Sequence, residues 1–151
     1  MVTQPSVQQL VRPYKSQDLA ACQRITGRDD DFTRYTQIEG CGCWVLETAG
    51  EIVGLVVVQI WRWNRSAWLI ELEVEPSRRG LGYGTALLQQ AANFAGENSC
   101  RVLFDALPTD YRHLPFYFRR GFRICGYNDL FYDTPERAQR TALLVALELE
   151  S

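Results

Sequence analysis

Histidine occurs once in this sequence, methionine once, and no apolar stretch approaches the ~18 residues that a membrane-crossing helix needs. The lone imidazole, His113, cannot build a multi-histidine centre, and the five cysteines (Cys22, Cys41, Cys43, Cys100, Cys125) contain no CxxC pair. No metal site is expected from them. Their odd number and scattered spacing fit buried, reduced thiols rather than a disulfide framework. An excess of one charge is also lacking: 16 Lys and Arg stand against 18 Asp and Glu, a net charge of −2. The basic residues gather into no stripe that follows a phosphate backbone, so no nucleic-acid partner is expected. Met1 to Leu10 is polar, with neither the charged start nor the apolar core of a signal peptide. A cytoplasmic location and no membrane partner are the expectation.

What is present is enough apolar material for one core. With 46% hydrophobic residues over 151 positions, the chain suits a single domain, 1–151, because two halves would each bury too little. Leu10 and Val11 read as a short strand ended by Arg12-Pro13. Ser16 then caps a helix with Leu19, Cys22 and Ile25 at helical spacing, and Gly27 stops it. Arg28 to Thr36 is polar and rich in aspartate, a short helix or a loop. From Trp44 the period becomes that of strands: Trp44-Val45-Leu46, an Ala49-Gly50 turn, then Ile52 to Trp61 make a hairpin. A turn at Asn64-Arg65 leads to a strand from Ala67 to Glu75. Leu87, Leu88, Ala91, Ala92 and Ala95 mark an amphipathic helix closed by Gly96. Val102-Leu103-Phe104 is the next strand, parallel to its predecessor because a helix supplies the crossover. Pro115 to Arg120 is a short helix ended by Gly121, and Phe122 to Cys125 and Leu130 to Tyr132 are strand material. Periodicity leaves Thr141 to Leu149 open between strand and helix.

The most informative segment is Val74-Glu75-Pro76-Ser77-Arg78-Arg79-Gly80-Leu81-Gly82-Tyr83-Gly84-Thr85. A strand runs into a glycine-rich turn that opens a helix, which points successive backbone N–H groups at one spot on the positive end of a helix dipole. Such a nest binds phosphate. A Walker A loop is excluded, since its terminal Lys-Ser/Thr is missing. A dinucleotide fingerprint is closer, and Asp105 stands about where a ribose-binding acid would sit. That motif, however, opens an all-parallel sheet, whereas here the turn follows an antiparallel meander.

Arg79-x-x-Gly82-x-Gly84, with Val74-x-Pro76 before it and an amphipathic helix after it, resembles the acetyl-CoA signature of the GNAT superfamily of N-acyltransferases. Pro115-Phe116-Tyr117-Phe118-Arg119-Arg120-Gly121-Phe122 is similar to the family's second block, FY-x-x-x-GF. The resemblance covers about Leu10 to Cys125. Trp63-Asn64 and the tail from Gly126 to Leu149 also resemble the streptothricin acetyltransferase branch. The resemblance implies an α/β fold, a mixed and mostly antiparallel sheet of about six or seven strands flanked by about four helices. It also implies acetyl-CoA as co-substrate, held where strands four and five splay apart. By position, the backbone amides of Leu81, Gly82, Tyr83, Gly84 and Thr85 would hold the pyrophosphate, with the Arg79 side chain nearby. The backbone of Leu72 to Val74 would hold the pantetheine arm and polarise the thioester carbonyl. One departure is visible: Thr109 and Asp110 stand where many members carry an asparagine.

Aminolysis of a thioester needs an amine stripped of its proton and a leaving thiolate that can gain one. Glu71, Glu73 and Glu75 alternate along the fourth strand and so share a face, unless a bulge shifts the register. Glu71 and Glu73 are candidate bases, the alternative being a solvated strand face; Glu75, beside Pro76, reads as solvated. Tyr117 matches the tyrosine that acts as general acid in many family members, the alternative being an aromatic core filler. His113, four residues earlier, is a proton relay or an exposed loop residue. Asp29, Asp30 and Asp31 either greet a cationic amine or form a solvated turn. Trp44, Trp61, Trp63 and Trp68 line an acceptor pocket or pack the sheet. The expected reaction is direct acetyl transfer to a primary amine of a small molecule. A protein N-terminal or lysine acetyltransferase and a non-catalytic acyl-CoA-binding module are the alternatives, and a homodimer is left open.

Overall fold

The computed structural model describes residues 9–149. Seven strands form one mixed sheet: β1 (Gln9–Pro13), β2 (Cys41–Thr48), β3 (Glu51–Trp61), β4 (Ser66–Val74), β5 (Val102–Pro108), β6 (Arg123–Asn128) and β7 (Ala142–Glu148). Their order is β1-β2-β3-β4-β5-β7-β6. The helices α1 (Leu19–Thr26), α2 (Tyr83–Glu97) and α3 (Leu114–Phe118), with a 3₁₀ helix at Phe32–Gln37, complete the α/β fold expected from the sequence. The chain divides into two compact units, one with residues up to Gln59 and Ile70–Phe94, the other with Ile60–Leu69 and residues from Ala95 onward.

In the first unit, the Ala49-Gly50 turn has positive φ at both residues, the geometry that lets a two-residue hairpin follow the strand twist. β2 and β3 then pair antiparallel from Cys41↔Gln59 to Thr48↔Glu51. The β3 run Val53–Val58 is buried without alternation, the mark of a strand covered on both faces. On one face, α1 and the 3₁₀ helix deliver Cys22, Ile25 and Phe32 onto Cys43, Val45, Leu55 and Val57. Gly54 lets β3 lie close to its neighbours: a Cβ there would sit 2.8 Å from Leu87 and 3.1 Å from the Glu73 carbonyl. Gly27 ends α1 in the left-handed conformation, as its position predicts. Ser16 does not cap α1. The buried Asp18 precedes the helix instead, accepting the Lys15 N–H and both Arg12 nitrogens, and the Arg12 guanidinium pulls its carboxyl below the usual value.

In the second unit, β7 lies between β5 and β6 and pairs antiparallel with both. That pairing makes a strand of Ala142–Glu148, within the stretch that periodicity left open, and buries Ala142, Val145 and Ala146. β4 and β5 are parallel, with a ladder of Ser66–Trp68 against Val102–Phe104. Several elements differ from the sequence reading: α3 is Leu114–Phe118 rather than Pro115 to Arg120, β6 is Arg123–Asn128 rather than Phe122 to Cys125, and β4 ends at Val74 rather than Glu75. Gly96 lies inside α2, which closes beyond it, where Ser99 takes φ 60° and the Cys100 N–H returns to the Ala95 carbonyl. Leu130 to Tyr132 is loop rather than strand, with Leu130 and Phe131 exposed.

Candidate active site

The candidate residues fall into two groups, one in each unit. In the first, β4 ends at Val74 and Pro76 opens a 3₁₀ turn, Pro76–Arg78. Gly80 and Gly82 follow at φ +79° and +86°, a conformation that side-chain-bearing residues adopt only at a cost. A Cβ on either would meet no protein atom within 4 Å, so protein crowding is not what calls for glycine. The glycines set the turn and leave the backbone open to approach. α2 begins at Tyr83 and runs 15 residues, and a helix of that length carries a partial positive charge at its N-terminal end. Leu81, Gly82, Tyr83, Gly84 and Thr85 therefore sit where a long helix presents its positive end. Arg79 is anchored beside them: its Nε donates to the Val74 carbonyl at 3.3 Å and its guanidinium lies 3.5 Å from Glu73. Turn, helix end and cation together fit a diphosphate. Leu72 and Val74 stand on the C-terminal half of β4, past the ladder with β5.

Glu71 and Glu73 on β4 and Glu75 just after it each meet an arginine. Glu75 lies 3.9 Å from Arg24 and 3.8 Å from Arg78, Glu73 faces Arg79, and Glu71 is ion-paired with Arg28. Arg24 and Arg28 come from the end of α1 and the turn after it, so Glu71 and Glu75 share the face toward that segment. The glutamates are not equivalent. The Glu71 side chain is 14% exposed, against 37% for Glu73. Burial pushes the Glu71 carboxyl above its ordinary value; Arg28 opposes the rise, and Glu73 and Asp30 add to it. A carboxylate kept at that cost is the kind of group a site retains for proton transfer.

In the second unit, Tyr117 on α3 is 5% exposed and packs edge-on against Phe116 and Phe122. Its hydroxyl donates to Asp105 on β5, whose other oxygen accepts the Ala106 N–H at 2.7 Å. The phenol is thus held by a carboxylate as well as packed by rings. The His113 carbonyl accepts the Tyr117 N–H at 3.4 Å, and His113 is exposed.

Sequence reading missed Arg28 and the partnership of Asp105 with Tyr117. Arg28 stands directly after the helix-stopping Gly27 and before three aspartates, the one cation of an acidic turn, and that was the available signal. Two of those aspartates have structural work: Asp30 pairs with Arg28, and Asp31 accepts the Thr33 N–H at the start of the 3₁₀ helix. The tryptophans separate. Trp44 packs on Phe94 in the first unit, whereas Trp61, Trp63, Trp68 and Phe104 form a continuous aromatic stack in the second, with Trp63 82% exposed. No group of three or more His, Cys, Asp or Glu able to hold a metal occurs among the described residues, and all five cysteines are free thiols.

A glycine-rich turn between the fourth strand and a long helix of a mixed α/β sheet is an arrangement suited to a phosphate-bearing coenzyme. The model of the acetyltransferase (GNAT) family matches residues 7–122, and the chain belongs to that family. Streptothricin acetyltransferase of Streptomyces lavendulae is 28% identical over 99 residues, 65% of this chain and 52% of its own, so the chain spans about half the length of that relative. An uncharacterised N-acetyltransferase of Methanocaldococcus jannaschii is 29% identical over 139 residues, 85% of this chain and 87% of its own. Among solved structures, a Bacillus anthracis protein provisionally assigned as streptothricin acetyltransferase, in complex with acetyl coenzyme A, superposes with TM-score 0.81. It is 19% identical, over 96% of this chain and 99% of that one.

Proposed function

We propose that the protein is an acetyl-CoA-dependent N-acetyltransferase that acetylates a primary amine of a small molecule by direct attack in a ternary complex. The observation that carries this reading is the glycine turn at the head of α2 in a chain of this family. The small-molecule acceptor is supported by the likeness to streptothricin acetyltransferase. No helix of the described residues is long and apolar enough to cross a membrane, and the five free thiols suit a reducing cytoplasm.

Acetyl-CoA supplies an acetyl carbon activated as a thioester, and its transfer to nitrogen breaks the C–S bond. The backbone of Leu81 to Thr85, with Arg79, holds the pyrophosphate, and the β4 backbone at Leu72 to Val74 holds the pantetheine arm. Glu71 takes the proton of the incoming ammonium, directly or through water, so that a neutral amine attacks. Glu73, more exposed and beside Arg79, is the second candidate for that role. Tyr117 gives its hydroxyl proton to the departing sulfur, with Asp105 fixing the phenol until it is used.

Thiol release from acetyl-CoA, measured against a panel of small primary amines, peptide N-termini and lysine peptides, tests the reading. Turnover confined to small amines is expected; turnover of peptides alone would make the protein a protein acetyltransferase, and CoA binding without any turnover would make it a binding module. In the same assay Tyr117→Phe keeps the ring and removes the donor. Its kcat is expected to fall roughly 10- to 10³-fold with little change in stability or in KM for acetyl-CoA. A kcat within about twofold of the wild type, with chemistry rate-limiting, would leave Tyr117 as a packing residue.

A further inference from the structure

Arg28 is reached through a specific piece of backbone. Gly27 takes φ 69° to end α1, and the next residue is sent back toward β4, 43 positions away in the chain. There its guanidinium uses two different nitrogens. Nε donates to Asp30 Oδ2 at 2.8 Å, and Nη2 donates to Glu71 Oε1. A planar fork with donors fixed in direction can bridge two carboxylates in this way, which a lysine ammonium cannot do with the same geometry. The Glu71 side chain is 14% exposed, against 45% for Arg28 and 39% for Asp30. The Glu71 carboxylate therefore sits deepest of the three, covered by a cation that is itself tied to a second acid.

This arrangement leaves Glu71 with one oxygen bound by Arg28 and the other outside that ion pair. We propose that Arg28 is a positioning residue for acetyl transfer: bridged to Asp30, it fixes the Glu71 carboxylate by one oxygen and keeps it ionised while the other takes the amine proton. The proposal rests on the reading of Glu71 as the base. The groups that act on Glu71 from the surrounding elements are few. Arg28 and Asp30 come from the turn after α1, and Glu73 from its own strand. Cys43, the titratable neighbour on β2, is held as a neutral thiol chiefly by burial, with Cys22, Cys41, Asp18 and Glu71 adding to the effect. Of these only Arg28 is a cation. Burial, Glu73 and Asp30 all favour a protonated Glu71, so the ionised state that a base needs depends on the guanidinium.

The test has two readouts. The first is the pH dependence of kcat/KM for the wild type, Arg28→Gln and Arg28→Lys with the same acceptor amine. Removing the positive charge should move the acid limb to higher pH, so that Arg28→Gln loses about tenfold or more at the foot of the limb and much less on the plateau. Arg28→Lys restores the charge and should return the limb toward the wild-type position, with a few-fold lower plateau because the fork is lost. The second is the titration of the Glu71 carboxyl carbon by NMR in protein without substrates, assigned with Glu71→Gln. Its midpoint should rise in Arg28→Gln. If neither midpoint nor limb moves in a folded variant, the positioning role is wrong and the assignment of Glu71 as base is untouched. If the midpoint moves and the limb does not, Glu71 is not the base, and the role of Arg28 falls with it. Should Arg28→Gln fail to fold, Arg28→Met, which keeps the aliphatic stem, gives the same comparison.

Discussion

Gly82→Asp is expected to lower acetyl-CoA affinity by about 10²-fold or more, while the thermal transition moves by only a few degrees. Three effects act together. The backbone at Gly82 has φ +86°, which a residue with a Cβ adopts at a cost of roughly 1 kcal/mol, aspartate being among the more tolerant. That cost falls on stability and is small. The new side chain meets no protein atom within 4 Å, so it is accommodated in the unliganded fold and stands in the space through which a ligand reaches the backbone. Its charge then opposes a diphosphate at the head of α2, where the helix otherwise favours an anion. Gly82→Asn separates shape from charge and should lose less. Calorimetric titration with acetyl-CoA, alongside melting of each variant, measures both quantities. Unchanged affinity in folded Gly82→Asp would remove this turn from the coenzyme site.

How much of this was legible in the sequence depended on the range of the interaction that decides each feature. The hairpin turn at Ala49-Gly50, the stop at Gly27 and the turn at Asn64-Arg65 are local, set by backbone conformations that a few residue types favour, and all three appear where the sequence put them. The glycine turn was legible for the same reason. Thr141 to Leu149 was undecidable by periodicity because its apolar residues run almost without a break; what makes a strand of it is pairing with β5 and β6, which no local pattern records. Gly96 misled because glycine is a helix stop only when the chain needs a left-handed residue there, and Ser99 fills that role three positions later. Glu71 was found as one of three alternating acids, but nothing in the alternation ranks them. The ranking comes from burial, 14% exposure for the Glu71 side chain against 37% for Glu73, which the fold decides. Asp105 was noticed only for standing where a ribose-binding acid would sit, and it lies in the middle of β5; its partner Tyr117 is twelve residues on, across a loop and a helix turn.

Glu71→Gln is expected to lower kcat/KM at neutral pH by about 10²-fold or more, whereas Glu73→Gln should stay within about fivefold of wild type. The difference follows from burial. Desolvation raises the Glu71 carboxyl from its ordinary value, which brings it nearer the range where a carboxylate both stays ionised at neutral pH and holds a proton usefully. Glu73 is exposed to water on more than a third of its side chain and lies beside Arg79, so it lacks the desolvated setting of Glu71. The sign of the pH dependence is fixed by the role. Glu71 must be ionised to act, so wild-type activity rises with pH through its raised folded-state value and then levels. Glu71→Gln has no such limb. Its activity should instead climb toward the wild type at high pH, as the fraction of free amine grows without enzymatic help. Glutamine keeps the length and shape of the side chain, but it leaves Arg28 without its inner carboxylate and sharing only Asp30, so the melting temperature of the variant must be recorded beside its rate. The reverse ranking, a large loss in Glu73→Gln with Glu71→Gln nearly unaffected, would move the base two residues along β4 to Glu73. Equal activity of both variants at neutral pH would exclude a β4 carboxylate from proton transfer altogether.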